Sequence, residues 1–167
     1  MTTTDTTTDD RRHLAELVND AQVAMLTTTT VDGQQVSRPM AVQEAEFDGD
    51  LWFFASEDSA KVAQIGTTPE VNVSFSDTKH NAWISISGRA EVVHDRRKAE
   101  DLYTPVLKAW FPDGLDTPGI TLIKVHADTA EYWDGPSSSV GMALGTLRAA
   151  VTKNPDNDPI TNDTLTL

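Results

Sequence analysis

Apolar residues first recur with a helical period at Leu14, Leu17, Val18 and Ala21. Asp9 or Asp10 stands where a cap belongs, so a helix is expected from about Asp10. The pattern then shortens. Val23-Ala24-Met25-Leu26, followed by four threonines, reads as a strand, and Val31-Asp32-Gly33 as a hairpin turn. Gln35 to Phe47 alternates loosely, Asp48-Gly49 signals a second hairpin, and Leu51-Trp52-Phe53-Phe54 forms a short apolar strand. A second helix follows, with Ser56 or Ser59 as its cap, Val62, Ala63 and Ile65 as its apolar stripe and Gly66 as its stop.

Strict alternation returns at Val71, Val73 and Phe75, and again over Ala82 to Val93. There Trp83 lies opposite Ile84 and Ile86, and Gly88 marks a bulge. Asp95 caps a helix through Leu102, and a short helix over Val106 to Phe111 breaks at Pro112-Asp113-Gly114. Ile120 to Trp133 reads as a long strand carrying Leu122, Val125, Ala127 and Tyr132, and Ser137 to Ser139 would cap a last helix, Val140 to Val151. About six strands joined mostly by hairpins favour an antiparallel sheet that closes toward a barrel, with the helices at its periphery. The expected fold is mainly β: one domain over residues 10–152, a disordered polar tail at 1–9 and a flexible tail at 153–167.

Composition narrows the function. The chain has 167 residues, enough for one core at 38% apolar content, and no apolar run near the roughly 20 residues a membrane span needs. Met1 to Asp10 lacks the apolar core of a signal peptide, so cytoplasmic residence is expected. With 26 acidic and 13 basic residues the net charge is −13, which repels a nucleic-acid backbone. An anionic ligand therefore needs a local basic pocket. The absence of cysteine removes disulfides, thiolate metal sites and thiol catalysis. His13, His80, His94 and His126 have no metal-ligand spacing, so no metal is expected, and no nucleophile stands with an assignable base. The catalytic residues, if any, stay unknown at this point.

One stretch does combine anion-binding residue types. Arg38 enters a strand in Ser37-Arg38-Pro39-Met40, the strand Trp52-Phe53-Phe54-Ala55 ends in Ser56, and Ser59 and Lys61 open the next helix. If the two strands are hairpin-linked, Arg38 and Ser56 come within reach of each other. The helix start adds free amides and a positive dipole end. An arginine fork, serine hydroxyls, a lysine and helix amides together describe a phosphate site. Taken singly, Arg38 and Lys61 read as solvated charges and the serines as caps.

These segments carry a family resemblance. Ser37 to Met40, Leu51 to Ser56, Ser59-x-Lys61, Val71 to Phe75, Ile84 to Val93, Trp110-Phe111-Pro112 and Glu131-Tyr132-Trp133 follow in an order that resembles the pyridoxamine 5′-phosphate oxidase-like split barrels, in particular their general stress protein 26-like branch. The resemblance covers about Arg12 to Trp133 and implies an antiparallel split β-barrel that binds FMN, with FAD or a deazaflavin as alternatives. It implies that Arg38 and Lys61 hold the phosphate with Ser56 and Ser59. Pro39 and Met40 would run along the isoalloxazine ring, and Trp52 to Ala55, Phe54 and Ala55 among them, would line the pocket. It further implies a homodimer, with Trp83, Ser85 or Trp110 belonging to the second wall of each site, and a nicotinamide is the candidate electron donor. Taken singly, each tryptophan reads more simply as a core or dimer anchor.

The chain departs from true pyridoxamine phosphate oxidases in lacking their arginine-rich C-terminal segment, which puts vitamin B6 oxidation in doubt. The expected function is that of an FMN-dependent oxidoreductase of unknown substrate. The competing expectations are a non-catalytic flavin carrier, a deazaflavin-dependent reductase and a cofactor-free dimer.

Overall fold

The computed structural model describes residues 3–43, 47–79, 81–135 and 161–167. Among the described residues seven strands form one antiparallel sheet: β1 (Val23–Thr29), β2 (Gln35–Ala41), β3 (Asp50–Ser56), β4 (Glu70–Asp77), β5 (Ala82–Val93), β6 (Ile120–Asp134) and β7 (Thr161–Thr166). The helices are α1 (Thr3–Asp20), α2 (Ala60–Thr67) and α3 (Arg96–Leu102), with short 3-10 turns at Pro105–Ala109 and Gly114–Asp116. The strand order is β2-β1-β4-β5-β6-β3, with β7 added to β6. The sheet curls until its end strands, β2 and β3, approach within 8 Å between Cα atoms at a few points without a hydrogen-bond ladder. That is a split barrel.

Alternation decides which face goes inward. Ala24 and Leu26 on β1, Val71, Val73 and Phe75 on β4, and Ile84 and Ile86 on β5 are buried together with Phe53, Ile123 and Val125. Leu14 and Val18 of α1 and Ile65 of α2 close this interior. A second, smaller cluster of Phe54, Leu102, Leu107 and Leu122 lies on the other side of β3 and β6, beneath α3. Adjacent residues of β3 thus serve different cores, because successive side chains of a strand point to opposite faces.

The register shifts between Ser87 and Gly88, so the bulge falls at the expected residue. A Cβ on Gly88 would lie 2.1 Å from the backbone oxygen of His126, which only a glycine avoids. Asp95 caps α3 as expected, its carboxylate accepting from the Lys98 amide at 3.0 Å.

Four expectations change. The first helix begins at Thr3 rather than near Asp10, continuing the packed turns into threonines and aspartates of low helix propensity. Helix α2 runs past Gly66 to Thr67 and is closed by the Thr68 amide on Gln64. The Asp48-Gly49 turn does not join a hairpin: β2 pairs with β1, while β3 pairs with β6 from Asp50↔His126 to Ser56↔Ile120. The segment Thr161–Thr166, expected to be flexible, pairs with β6 from Thr129 to Asp134. Strand β6 is longer than β3, and β7 occupies the part of its edge that β3 leaves unpaired. The helix expected at Val140 to Val151 lies outside the described residues.

Candidate functional site

Arg38 is brought to the interior end of β2 by its register. It pairs with Leu26, whose side chain is fully buried, so both point inward. Its guanidinium is held from two elements. One nitrogen donates to the Thr28 hydroxyl at 2.7 Å, and another donates to Oε1 of Gln64 at 3.2 Å. Thr28, only 1% exposed on β1, passes its own proton to the same Gln64 oxygen at 2.6 Å. The three side chains close a ring in which every bond has a donor and an acceptor.

Lys61, in the first turn of α2, sits near Arg38. Burial pushes its pKa down, and the positive charge of Arg38 lowers it further. Arg38 is lowered in the same direction by burial. Among the described residues neither cation makes an ion pair. Two half-buried like charges without a counter-charge are unfavourable together, and such an arrangement favours an anion between them.

Ser59 supplies an independent sign. It occupies the cap position of α2 with an extended backbone, yet its hydroxyl makes no capping bond. Its Oγ is buried and has no hydrogen-bond partner. A buried orphan hydroxyl is costly, about 1–3 kcal/mol, unless something outside the chain satisfies it. The α2 start adds unbonded backbone amides of its own.

The other expected residues are distributed more widely. Ser56 is turned to Asp58 at 2.6 Å, where its hydroxyl donates to the carboxylate. Ala55 and Met40 are buried in the main core. Phe54 belongs to the second cluster, stacked at a tilt 6.3 Å from Phe111. Trp83 lies half-buried on the outward face of β5, directly across from Trp133. Trp110 follows the first 3-10 turn and is 63% exposed. So Lys61 lies near Arg38, with Ser59 two residues before it at the cap of α2, whereas Phe54, Trp83 and Trp110 belong to other parts of the single chain. Thr28 and Gln64 were not found from sequence. Four consecutive threonines offered no reason to single out one, and a lone glutamine on a helix carries no signal.

Strand β2 offers a second resource, its free edge. Bonds at both ends of the β1–β2 ladder, Thr30 N to Gln34 O and Val42 N to Gln22 O, fix which residues turn toward β1. By alternation Arg38 and Met40 bond inward to β1, while Gln35, Ser37, Pro39 and Ala41 turn their backbone groups outward. Pro39 has no N–H. Pro39 apart, the donors available along the edge are therefore Gln35, Ser37 and Ala41, and Met40 is not among them.

Comparison with known proteins agrees with this architecture. The family model for pyridoxamine 5′-phosphate oxidase like proteins matches residues 9–157. Protein bli-3 of Neurospora crassa is 30% identical over 152 residues, covering 85% of this chain and 73% of that protein. Among solved structures, a general stress FMN/FAD binding protein from Xanthomonas citri is 30% identical with a TM-score of 0.68, covering 79% of this chain and 93% of that one. A Clostridium acetobutylicum protein related to general stress protein 26 of B. subtilis has a TM-score of 0.69 at 19% identity, covering 93% of each chain. By the extent of the family match and the shared split barrel, the chain belongs to the pyridoxamine 5′-phosphate oxidase like family.

Proposed function

We propose that this protein binds FMN and serves as a flavin-dependent oxidoreductase, with the flavin phosphate held by Arg38, Lys61 and Ser59. The observation that carries this reading is the pair of uncompensated, half-buried cations beside a buried hydroxyl that has no partner. A phosphate monoester carries about −1.5 to −2 charge near neutral pH and brings three acceptor oxygens, which matches two cations and an unused donor. The solved relative described as an FMN/FAD binding protein supports the same ligand class. A bound flavin would supply the electron chemistry. The chain's own part is to anchor the phosphate, to present the Ser37 and Ala41 amides along β2, and to keep Arg38 oriented through Thr28 and Gln64.

The outward sheet face supports a homodimer. Its central rows hold small residues, Thr27, Asn72, Ser74, Ser85 and Ser87, beside the half-buried Trp83 and Trp133 and the exposed Val23 and Met25. An outer face of small and apolar groups suits a second copy better than solvent.

The test is a binding titration of FMN against riboflavin, with sedimentation to read the assembly. FMN should bind at least about 100-fold more tightly, since charge-assisted bonds to a phosphate contribute several kcal/mol. Equal affinities would remove the phosphate from the site.

A further inference from the structure

A cavity of about 400 Å³ opens at the far end of β2 from the Arg38 guanidinium, between the end of α1, the residues after β2 and the first 3-10 turn. Val42, Val106 and Leu107 give it apolar walls, and Gln43, Gln22 and Thr104 give it neutral polar ones. Gln43 is buried, and its amide nitrogen donates to the Ala41 carbonyl at 3.0 Å.

The electrostatics of this cavity are opposite to those of the Arg38 site. No lysine, arginine or histidine is among its described lining residues, and its one charged side chain is Asp20. Asn19 and Asp20 also close α1, whose last turn carries no basic residue. The free carbonyls of a long helix's final turn add negative potential of their own. Lys108, on the neighbouring turn, is exposed and outside the lining.

From Arg38 to Val42 is four residues of strand, roughly 13 Å at about 3.3 Å per residue. A flavin held by its phosphate at Arg38 and running along β2 toward Ala41 would bring its ring to this cavity. We infer that the cavity receives the small molecule that meets the flavin, and that this molecule is an uncharged or cationic, partly apolar organic compound rather than a phosphate or carboxylate. The inference rests on the flavin reading above and names the substrate class for it.

The experiment uses the FMN-saturated full chain with labelled valine and leucine methyls, titrated with benzamidinium, benzamide and benzoate. These probes share a ring and differ in charge. Benzamidinium and benzamide should shift the Val106 and Leu107 methyls saturably, and benzoate should bind at least about tenfold more weakly. Asp20→Lys should erase or reverse that order. Benzoate binding as tightly as benzamidinium would overturn the inference, and so would methyls that no probe moves, as when the flavin itself fills the cavity. A separate FMN titration keeps the two ideas apart. If FMN fails to bind, the flavin reading falls and the cavity's assigned partner with it, whatever charge preference the probes show. If FMN binds and the probe order fails, only the cavity assignment is wrong.

Discussion

Gln64, on α2, is bonded to Arg38, on β2, through the same oxygen that takes the hydroxyl proton of Thr28. A neutral acceptor at this point orients the guanidinium without cancelling its charge. A carboxylate would hold it equally well and neutralise it.

Gln64→Glu therefore separates orientation from charge. The substituted side chain keeps the shape and gains an ion pair with Arg38, so thermal stability should hold or rise. FMN affinity should fall about tenfold or more, because one unit of positive charge is cancelled beside the phosphate. Riboflavin affinity should not change. A parallel loss for both ligands would mean that Gln64 supports only the fold.

Lys61→Met should stabilise the ligand-free protein while weakening FMN. The folded pKa of Lys61 is lowered, so between that value and the ordinary lysine range the unfolded chain binds more protons. Stability in that window rises with pH, and at neutral pH the buried charge opposes folding. Removing it relieves the repulsion with Arg38. The expected result is a higher melting temperature without ligand and about a 10- to 100-fold loss of FMN affinity. A variant that melts lower without ligand would contradict the electrostatic account.

Asp50 sets an acid limit. Burial alone would raise its pKa, but hydrogen bonds and charges from His126 and Lys124 outweigh burial and hold it below the usual value. The contacts are 2.9 Å to His126 and 3.1 Å to Lys124. A depressed folded pKa contributes stability that is fully present above the unfolded value and lost as pH falls through the folded one. Asp50→Asn should cost on the order of 1 kcal/mol at neutral pH. It should also flatten the loss of urea resistance as pH falls through and below the ordinary carboxylate range. Identical acid slopes for both proteins would assign that loss to other carboxylates.

The strands and the inward residues were legible in the sequence because burial imposes a period of two: Val71, Val73 and Phe75 could hardly do anything else. Pairing partners were harder. Asp48-Gly49 has the chemistry of a hairpin turn, but a turn residue sets only the local bend and says nothing of which strand lies beyond it. Arg38, Ser59 and Lys61 could be named from residue type and spacing. Their support from Thr28 and Gln64 could not, since it depends on a helix laid across the barrel end by tertiary packing. The final strand was missed because Thr161 to Thr166 is mostly polar, and its pairing depends on the vacant edge of β6.

That edge makes a backbone prediction. The bonds Leu167 N to Asp128 O and Gly135 N to Asn81 O fix the alternation along β6. Ala130 and Tyr132 turn their amides to β7, while Glu131 and Trp133 turn theirs to β5. Deleting Thr161 to Leu167 should speed amide exchange at Ala130 and Tyr132 by at least about tenfold. Glu131 and Trp133 should keep their protection. Loss of all four together would show that β7 stabilises the whole sheet rather than one edge.

The proline on the open side of β2 has a consequence for how copies of the chain behave in a crowded solution. A bare strand edge is a template on which another chain can add itself, beginning a fibre. Pro39 falls at an outward-bonding place, so an incoming strand finds a donor missing midway between Ser37 and Ala41 and a ring where it would lie. A flat aromatic ligand needs only separate points of contact and is not turned away by that gap. The same residue can thus keep the edge open to a small molecule while closing it to polypeptide.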